Sequence, residues 1–377
     1  MNVRNLVGRR GALKTIGAGI ASIGTFVAVG RGEDEVEIVT ETRGETPVVT
    51  KSVPRDWYEH ERRVAEALTR VNERFLPSEA ILGSAIVGSD ETVEGKGVTQ
   101  VEVAVAEGEA SAVSIPASIE DVAIRTVSRR SNGVRLTESG GGCHNNDDYD
   151  RVRGGVLVYG DGDDDGAVDQ RGTSGCPVRK DGTEYLLTAN HLFLTGEPCE
   201  GNWDEGLYQY GDGDYFGEVH RYDQAEDWAI VAPVGDYEGT LVFDVKGARW
   251  TGGIASHATK IRLQEMIGDG TTVEKMGTTT GAETGVVESI EGTYSDDCID
   301  FDGHGVRTDC NTAAGDSGGP TYARSESGDG LAMVSLSSAR PDWVSKLYKE
   351  CGEEVYGRTV GPACYRIANE GGIEFGS

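Results

Sequence analysis

The sequence predicts an all-β domain over residues 139–377, preceded by a small α+β unit over 54–138. Three observations carry that prediction. Beyond residue 139, short apolar runs recur between clusters of Gly, Asp and Asn, the pattern of antiparallel strands joined by turns. The region is long enough to bury one substantial core or two packed barrels. Upstream, one helical period is followed by strand-like runs.

In chain order, Arg9-Arg10-Gly11-Ala12-Leu13-Lys14 is a twin-arginine pattern, and an apolar stretch rich in Gly and Ala follows from Thr15 to Gly30. That stretch is too short for a membrane span of about 20 residues. Residues 1–30 therefore read as a cleavable twin-arginine signal for folded cargo, cut near Val29 or Gly30. No later segment approaches a span, so the product is expected outside the cell and off the membrane. Residues 31–53 are acidic and threonine-rich, and read as a linker. From Pro54 to Phe75, Trp57, Val64, Ala65, Leu68, Val71 and Phe75 recur at helical spacing. Ile81–Val87, Val98–Val105 and Val122–Val127 read as strands, the middle one alternating through Val101, Val103 and Val105. By position this unit is either a pro-segment removed on maturation or a permanent accessory domain. Strands are expected at Val156–Val158, Tyr185–Leu187, Ala229–Val231, Leu241–Phe243, Gly285–Val287 and Met333–Ser335.

Net charge is −29, from 64 acidic and 35 basic residues, and Arg outnumbers Lys 26 to 9. Such a surface repels phosphates and argues against a nucleic-acid partner. It suits a protein kept hydrated in concentrated salt, where self-repulsion is screened. The source is read as halophilic, with a mildly acidic mesophile as the alternative.

Three short blocks carry chemistry. Gly315-Asp316-Ser317-Gly318-Gly319-Pro320 is a run of turn residues folded around one serine. Leu186-Leu187-Thr188-Ala189-Asn190-His191 ends an apolar run in a histidine, and Glu226-Asp227-Trp228-Ala229-Ile230-Val231 places an aspartate before a strand. A serine hydroxyl needs a base to become a nucleophile, histidine titrates near working pH, and a buried carboxylate fixes the imidazole tautomer. Each block has a bland reading, as a surface turn, a core histidine or a turn aspartate; their joint occurrence outweighs it. The remaining histidines, His60, His144, His220, His257 and His304, read as surface or structural.

These blocks resemble those of the chymotrypsin-like (trypsin-type) serine endopeptidases: Thr188 to His191, Asp227 to Ile230, and Gly315 to Pro320. The spacing agrees, with 36 residues from His191 to Asp227 and 90 from Asp227 to Ser317. The resemblance covers roughly residues 140–377. It implies two packed six-stranded antiparallel barrels with the active site between them, and peptide bonds cleaved through an acyl-enzyme. Catalytic roles fall on His191, Asp227 and Ser317, with oxyanion-hole amides at Gly315 and Ser317. Asp316 is implied to brace its loop through a buried charge contact. Asn311 is implied at the floor of the specificity pocket, where a neutral residue argues against a strict lysine or arginine preference. Ser335 is matched to the substrate-binding strand.

All seven cysteines lie after residue 142. A bridge tying the histidine loop is implied by the resemblance as Cys176–Cys199; spacing suggests Cys298–Cys310 and Cys351–Cys364, leaving Cys143 free. Each such bridge would contribute about 3 kcal/mol. None has the spacing of a zinc site. Asp161, Asp163 and Asp165 resemble the first half of a calcium loop, but Gly172 stands where its glutamate would be. No organic cofactor is expected, and calcium at most stabilises a loop. The expected partners are protein or peptide substrates, met by a monomer. The alternatives are a catalytically silent protease-like binding or cell-surface protein, and an esterase or self-processing protease using the same triad.

Overall fold

The computed structural model describes residues 34–109, 113–136, 140–161, 170–195, 200–201, 206–209, 214–295, 298–301 and 303–377. The chain opens with a hairpin of β1 (Glu35–Arg43) and β2 (Thr46–Pro54), then helix α1 (Arg55–Phe75). Three strands follow, β3 (Ile81–Val93), β4 (Lys96–Ala106) and β5 (Val122–Arg129). The linker reading of residues 31–53 is corrected over its described part. Val36 and Ile38 are buried and alternate with Glu35 and Glu37, so the acidic residues are the wet face of a strand. The α1 expectation holds, with Pro54 at its N-cap, where a missing amide costs nothing.

A first β-unit comprises β6 (Leu157–Gly160), β7 (Gln170–Thr173), β8 (Cys176–Lys180), β9 (Thr183–Thr188), β10 (Gly206–Gln209), β11 (Asp214–Asp223) and β12 (Trp228–Pro233). Hydrogen bonding runs β8-β9-β12-β11-β10-β6-β7. Only Ser174 and Gly175 separate β7 from β8, yet these strands stand at opposite ends of that path. The sheet must therefore curl until its ends meet, which makes a barrel. Leu241–Phe243, expected as a strand, is irregular; its backbone ties instead to Val152 and Ile254.

The second unit begins with β13 (Ile254–Ala258) and helix α2 (Lys260–Asp269). Then come β14 (Thr272–Gly277), β15 (Gly281–Gly292), β16 (Gly305–Thr308), β17 (Pro320–Arg324) and β18 (Leu331–Leu336). A hairpin of β19 (Lys346–Glu350) and β20 (Glu353–Tyr356) leads to β21 (Thr359–Pro362), helix α3 (Cys364–Gly371) and β22 (Glu374–Phe375). The path β18-β17-β14-β15-β16-β21 is closed by a bridge between Ser335 and Ala363, giving six antiparallel strands. β22 crosses back to pair with β8 of the first barrel.

The N-terminal unit is built onto the second barrel. β1 pairs with β13, and β3 pairs with β15. One hydrophobic core joins Val64, Leu68, Val71 and Phe75 of α1 to Met266, Val287, Ile290 and Val334. Buried polar contacts cross the same boundary. Glu41 accepts hydrogen bonds from Ser256 Oγ (2.5 Å), Ser325 Oγ and the Glu326 amide (both 2.6 Å). Glu61 accepts from Gln264 Nε2 at 2.9 Å, and burial pushes its carboxyl up to about 7.

Because that core is common, the N-terminal unit and the second barrel should melt together. Leu68→Ala, which empties a buried site on α1, is expected to cost about 2–5 kcal/mol and to lower a single calorimetric transition. A separate early transition for the N-terminal unit would contradict the shared core.

Candidate active site

β9 and β12 are neighbours, with Thr188 opposite Ala229. The chain leaves β9 through an extended Ala189 into a short turn, Asn190–Phe193, and enters β12 from Asp227. The register therefore sets His191 beside Asp227. Asp227 Oδ1 accepts the His191 backbone amide and Oδ2 lies on the ring Nδ1, both at 2.8 Å. Asp227 adopts φ +52°, a strained conformation for a residue with a side chain. The geometry that aims both oxygens at His191 is thus held by surrounding packing.

Ser317 comes from the second barrel, and its Oγ lies 2.7 Å from His191 Nε2. An ionised carboxylate only accepts, so Nδ1 carries the proton and Nε2 is left to accept from the Ser317 hydroxyl. This is the arrangement in which imidazole can take a hydroxyl proton while gaining a charge that Asp227 stabilises. Ser317 and Asp227 are fully buried and His191 is 7% exposed.

The Gly315–Pro320 turn is fixed from both barrels. Thr173 of the first barrel donates its amide to the Ser317 carbonyl at 2.7 Å and its hydroxyl to the Gly315 carbonyl, also at 2.7 Å. Gly318 donates to the Ser337 carbonyl at 2.6 Å. Gly315 has φ +90°, and a Cβ there would sit 2.4 Å from the Gly140 carbonyl. At Gly318, φ is +85° and a Cβ would fall 2.2 Å from the Thr173 carbonyl. Neither position admits a side chain.

Asp316 is where the sequence left most unsaid. Its expected charge contact is Lys275 of β14, with Nζ 2.6 Å from Oδ2 and both side chains fully buried. Asp316 also accepts from the amides of Thr279 (3.0 Å), Thr280 (3.1 Å) and Ala313 (3.1 Å) and from Thr280 Oγ1 (2.7 Å). No pattern singled out Lys275, which follows Glu274 in a strand reading Thr-Val-Glu-Lys-Met-Gly.

Other expectations fare less evenly. Asn311 is half-buried and donates to Glu283 at 3.0 Å. Ser335 lies on β18, opposite Thr321, whereas the residue bonded to the turn is Ser337, two positions later. All three disulfide pairings are corrected. Cys176, Cys310 and Cys364 are free and buried, and burial pushes the Cys310 thiol up to about 12. Cys176 and Cys364 belong to one hydrophobic core, and Cys351 is bonded elsewhere. Cys143 is bonded to Cys351 (Cα–Cα 5.7 Å), because the segment after Gly140 runs along the β19–β20 hairpin, where Glu353 accepts the Gly141 amide. Cys298 is also disulfide-bonded, and Cys199 lies outside the described residues. Of the calcium candidates, Asp161 is buried and its amide donates to the Gly206 carbonyl; Asp163 and Asp165 lie outside the described residues, as do residues 1–30, where a signal is expected. Among the described residues no helix is long and apolar enough to cross a membrane.

No family model and no curated protein matches the chain. Among solved structures it is similar to serine proteases. One is described as a glutamic acid specific serine protease that utilizes a novel histidine triad in substrate binding: 20% identity over 60% of this chain and 100% of that one, TM-score 0.41. Thermobifida fusca protease A is 19% identical over 59% of this chain and 97% of its own, TM-score 0.36. The chymotrypsin of Cellulomonas bogoriensis is 18% identical over the same shares, TM-score 0.39. These are distant likenesses, and the site stands on its own geometry.

Removing one partner of a buried ion pair leaves the other charge stranded. Lys275→Met is therefore expected to cost about 3–5 kcal/mol, read as a lowered denaturation midpoint, while Lys275→Arg recovers part of it. Equal stability of Lys275→Met and the parent would remove this pair from the structural account.

Proposed function

We propose that the protein is a secreted serine endopeptidase. The observation that carries this reading is the unbroken hydrogen-bond chain from Asp227 through His191 to Ser317, 2.8 and 2.7 Å long, spanning two barrels. Ser317 Oγ attacks the peptide carbonyl carbon and its proton passes to His191 Nε2. Asp227 holds the imidazole in register and stabilises its cation. The amides of Gly315 and Ser317 receive the oxyanion. The carbon–nitrogen bond breaks as His191 returns its proton to the leaving amine, and water attacking through the same base releases the acyl group.

The twin-arginine pattern and the disulfides support export of a folded product. The net charge of −29 supports work in concentrated salt. Substrates are peptide bonds of no assigned side-chain preference. One observation favours the second reading, a catalytically silent protein: Ser317 has no exposed surface.

Labelling with a fluorophosphonate probe in high salt separates the two. Ser317 should carry the adduct in the parent and lose it in His191→Ala, and Ser317→Ala should lower peptide hydrolysis by roughly 10^6-fold. Asp227→Asn, which inverts the tautomer preference, should lose about 10^4. A folded parent with Ser317 unlabelled would leave the silent protein in front.

A further inference from the structure

The residue beside Asp227 in the chain is a buried carboxyl for which the mechanism above has no use. Glu226 is 6% exposed, and among the described residues its Oε2 meets no hydrogen-bond donor. It lies in the turn between β11 and β12, against groups of the second barrel. His304 Nε2 of the β15–β16 connection is 3.9 Å from its Oε1. Arg366 Nη2 of α3 lies 2.6 Å from that same His304 nitrogen. A guanidinium can only donate, so that nitrogen is engaged toward Arg366 rather than toward Glu226, from which it stands beyond hydrogen-bond distance. The other charged groups around it are Asp223 at the end of β11, Glu370 of α3 and Glu291 of β15, with Glu291 itself held by Lys260 and Tyr365.

The turn carrying Asp227 is bonded in part to itself. Its amides at Glu226 and Asp227 are satisfied inside the turn, by Asp223 Oδ1 at 3.0 Å and the Gln224 carbonyl at 3.3 Å. Among the described residues, a backbone bond to the second barrel runs from the Asp300 amide to the Ala225 carbonyl at 3.0 Å. The strained φ of Asp227 has to be maintained by this packing.

We propose that Glu226 is a positioning residue for Asp227: as a neutral carboxyl it seats the turn against His304 and α3, and its ionisation releases the turn and misaligns Asp227. The site is consistent with the neutral form at working pH. Burial pushes the carboxyl from its ordinary 4.5 up to about 8, with Glu370, Asp223 and Glu291 adding to the rise and Arg366 opposing it. A folded-state value above the unfolded one means that the native state holds the proton more tightly. Its stabilising contribution is thus complete below about pH 4.5 and is lost as pH rises through about 8. The inference rests on the peptidase reading for its kinetic readout only.

The test compares the full chain with Glu226→Gln, which keeps the shape and cannot ionise. In the parent, kcat/KM should fall about tenfold between pH 7 and 9, while Glu226→Gln keeps its pH 7 value to within roughly twofold. Hydrogen exchange of the peptide spanning residues 220–232, corrected for intrinsic base catalysis, should rise over the same interval in the parent alone. The same alkaline limb and the same exchange in both proteins would overturn the proposal, as would a uniform loss in Glu226→Gln at every pH. Should Glu226→Gln fail to fold, the parent's own exchange across that interval decides, because an unchanged value overturns the proposal. A parent that turns over no peptide yet shows the exchange difference would sink the peptidase reading and leave the seating of the turn intact.

Discussion

The geometry on the serine side depends on the buried contact between Lys275 and Asp316. The Gly315–Pro320 turn has two glycines at positive φ, and its local backbone bonds are two, Asp316 amide to the Ala313 carbonyl and Gly319 amide to the Asp316 carbonyl, among the described residues. Asp316 adds rigidity by gathering three backbone amides, a hydroxyl and one ammonium around a single carboxylate. Such a network is costly to leave incomplete, because every unmade bond strands a desolvated polar group. That cost makes the turn one shape rather than several. The histidine side is held differently, by the register of two paired strands and the double clasp of Asp227.

Between these two halves stands Thr173, which binds the turn through both its amide and its hydroxyl. It sits at the bend where the first barrel folds back from β7 to β8. The alignment of Ser317 with His191 is thus an inter-barrel property. It is set by how two closed sheets abut and by the loops that lock them, with α3 and β22 adding ties from the far side.

What the sequence disclosed was local. The three motif blocks, α1 and most strands are written in runs of a few residues, where turn chemistry and periodicity act directly. The misreadings were of two kinds. Residues 35–54 look like an acidic spacer by composition, yet Val36 and Ile38 alternate with Glu35 and Glu37; the period of two was present and charge obscured it. The cysteine pairing failed because nearest-neighbour spacing says nothing of a segment that returns 208 residues later, as Cys351 does to Cys143. Lys275 and Ser337 belong to the second kind as well, since each acts on a turn that reaches it only through barrel closure.

The pairing of β1 with β13, Glu41 against Ala258, has a consequence for the order in which the protein comes into being. The first strand of the described chain waits for a partner made more than half the chain later, and β8 waits for β22 in the same way. Such non-local closures cost loop entropy before any contact returns it, so assembly is slow and falls late in synthesis. Until then the apolar face of α1 and the edge of β1 are open to other chains. The acidic residues along that edge give the nascent polypeptide a charged margin, a means of staying apart from its neighbours while the barrel that will cover it is still being made.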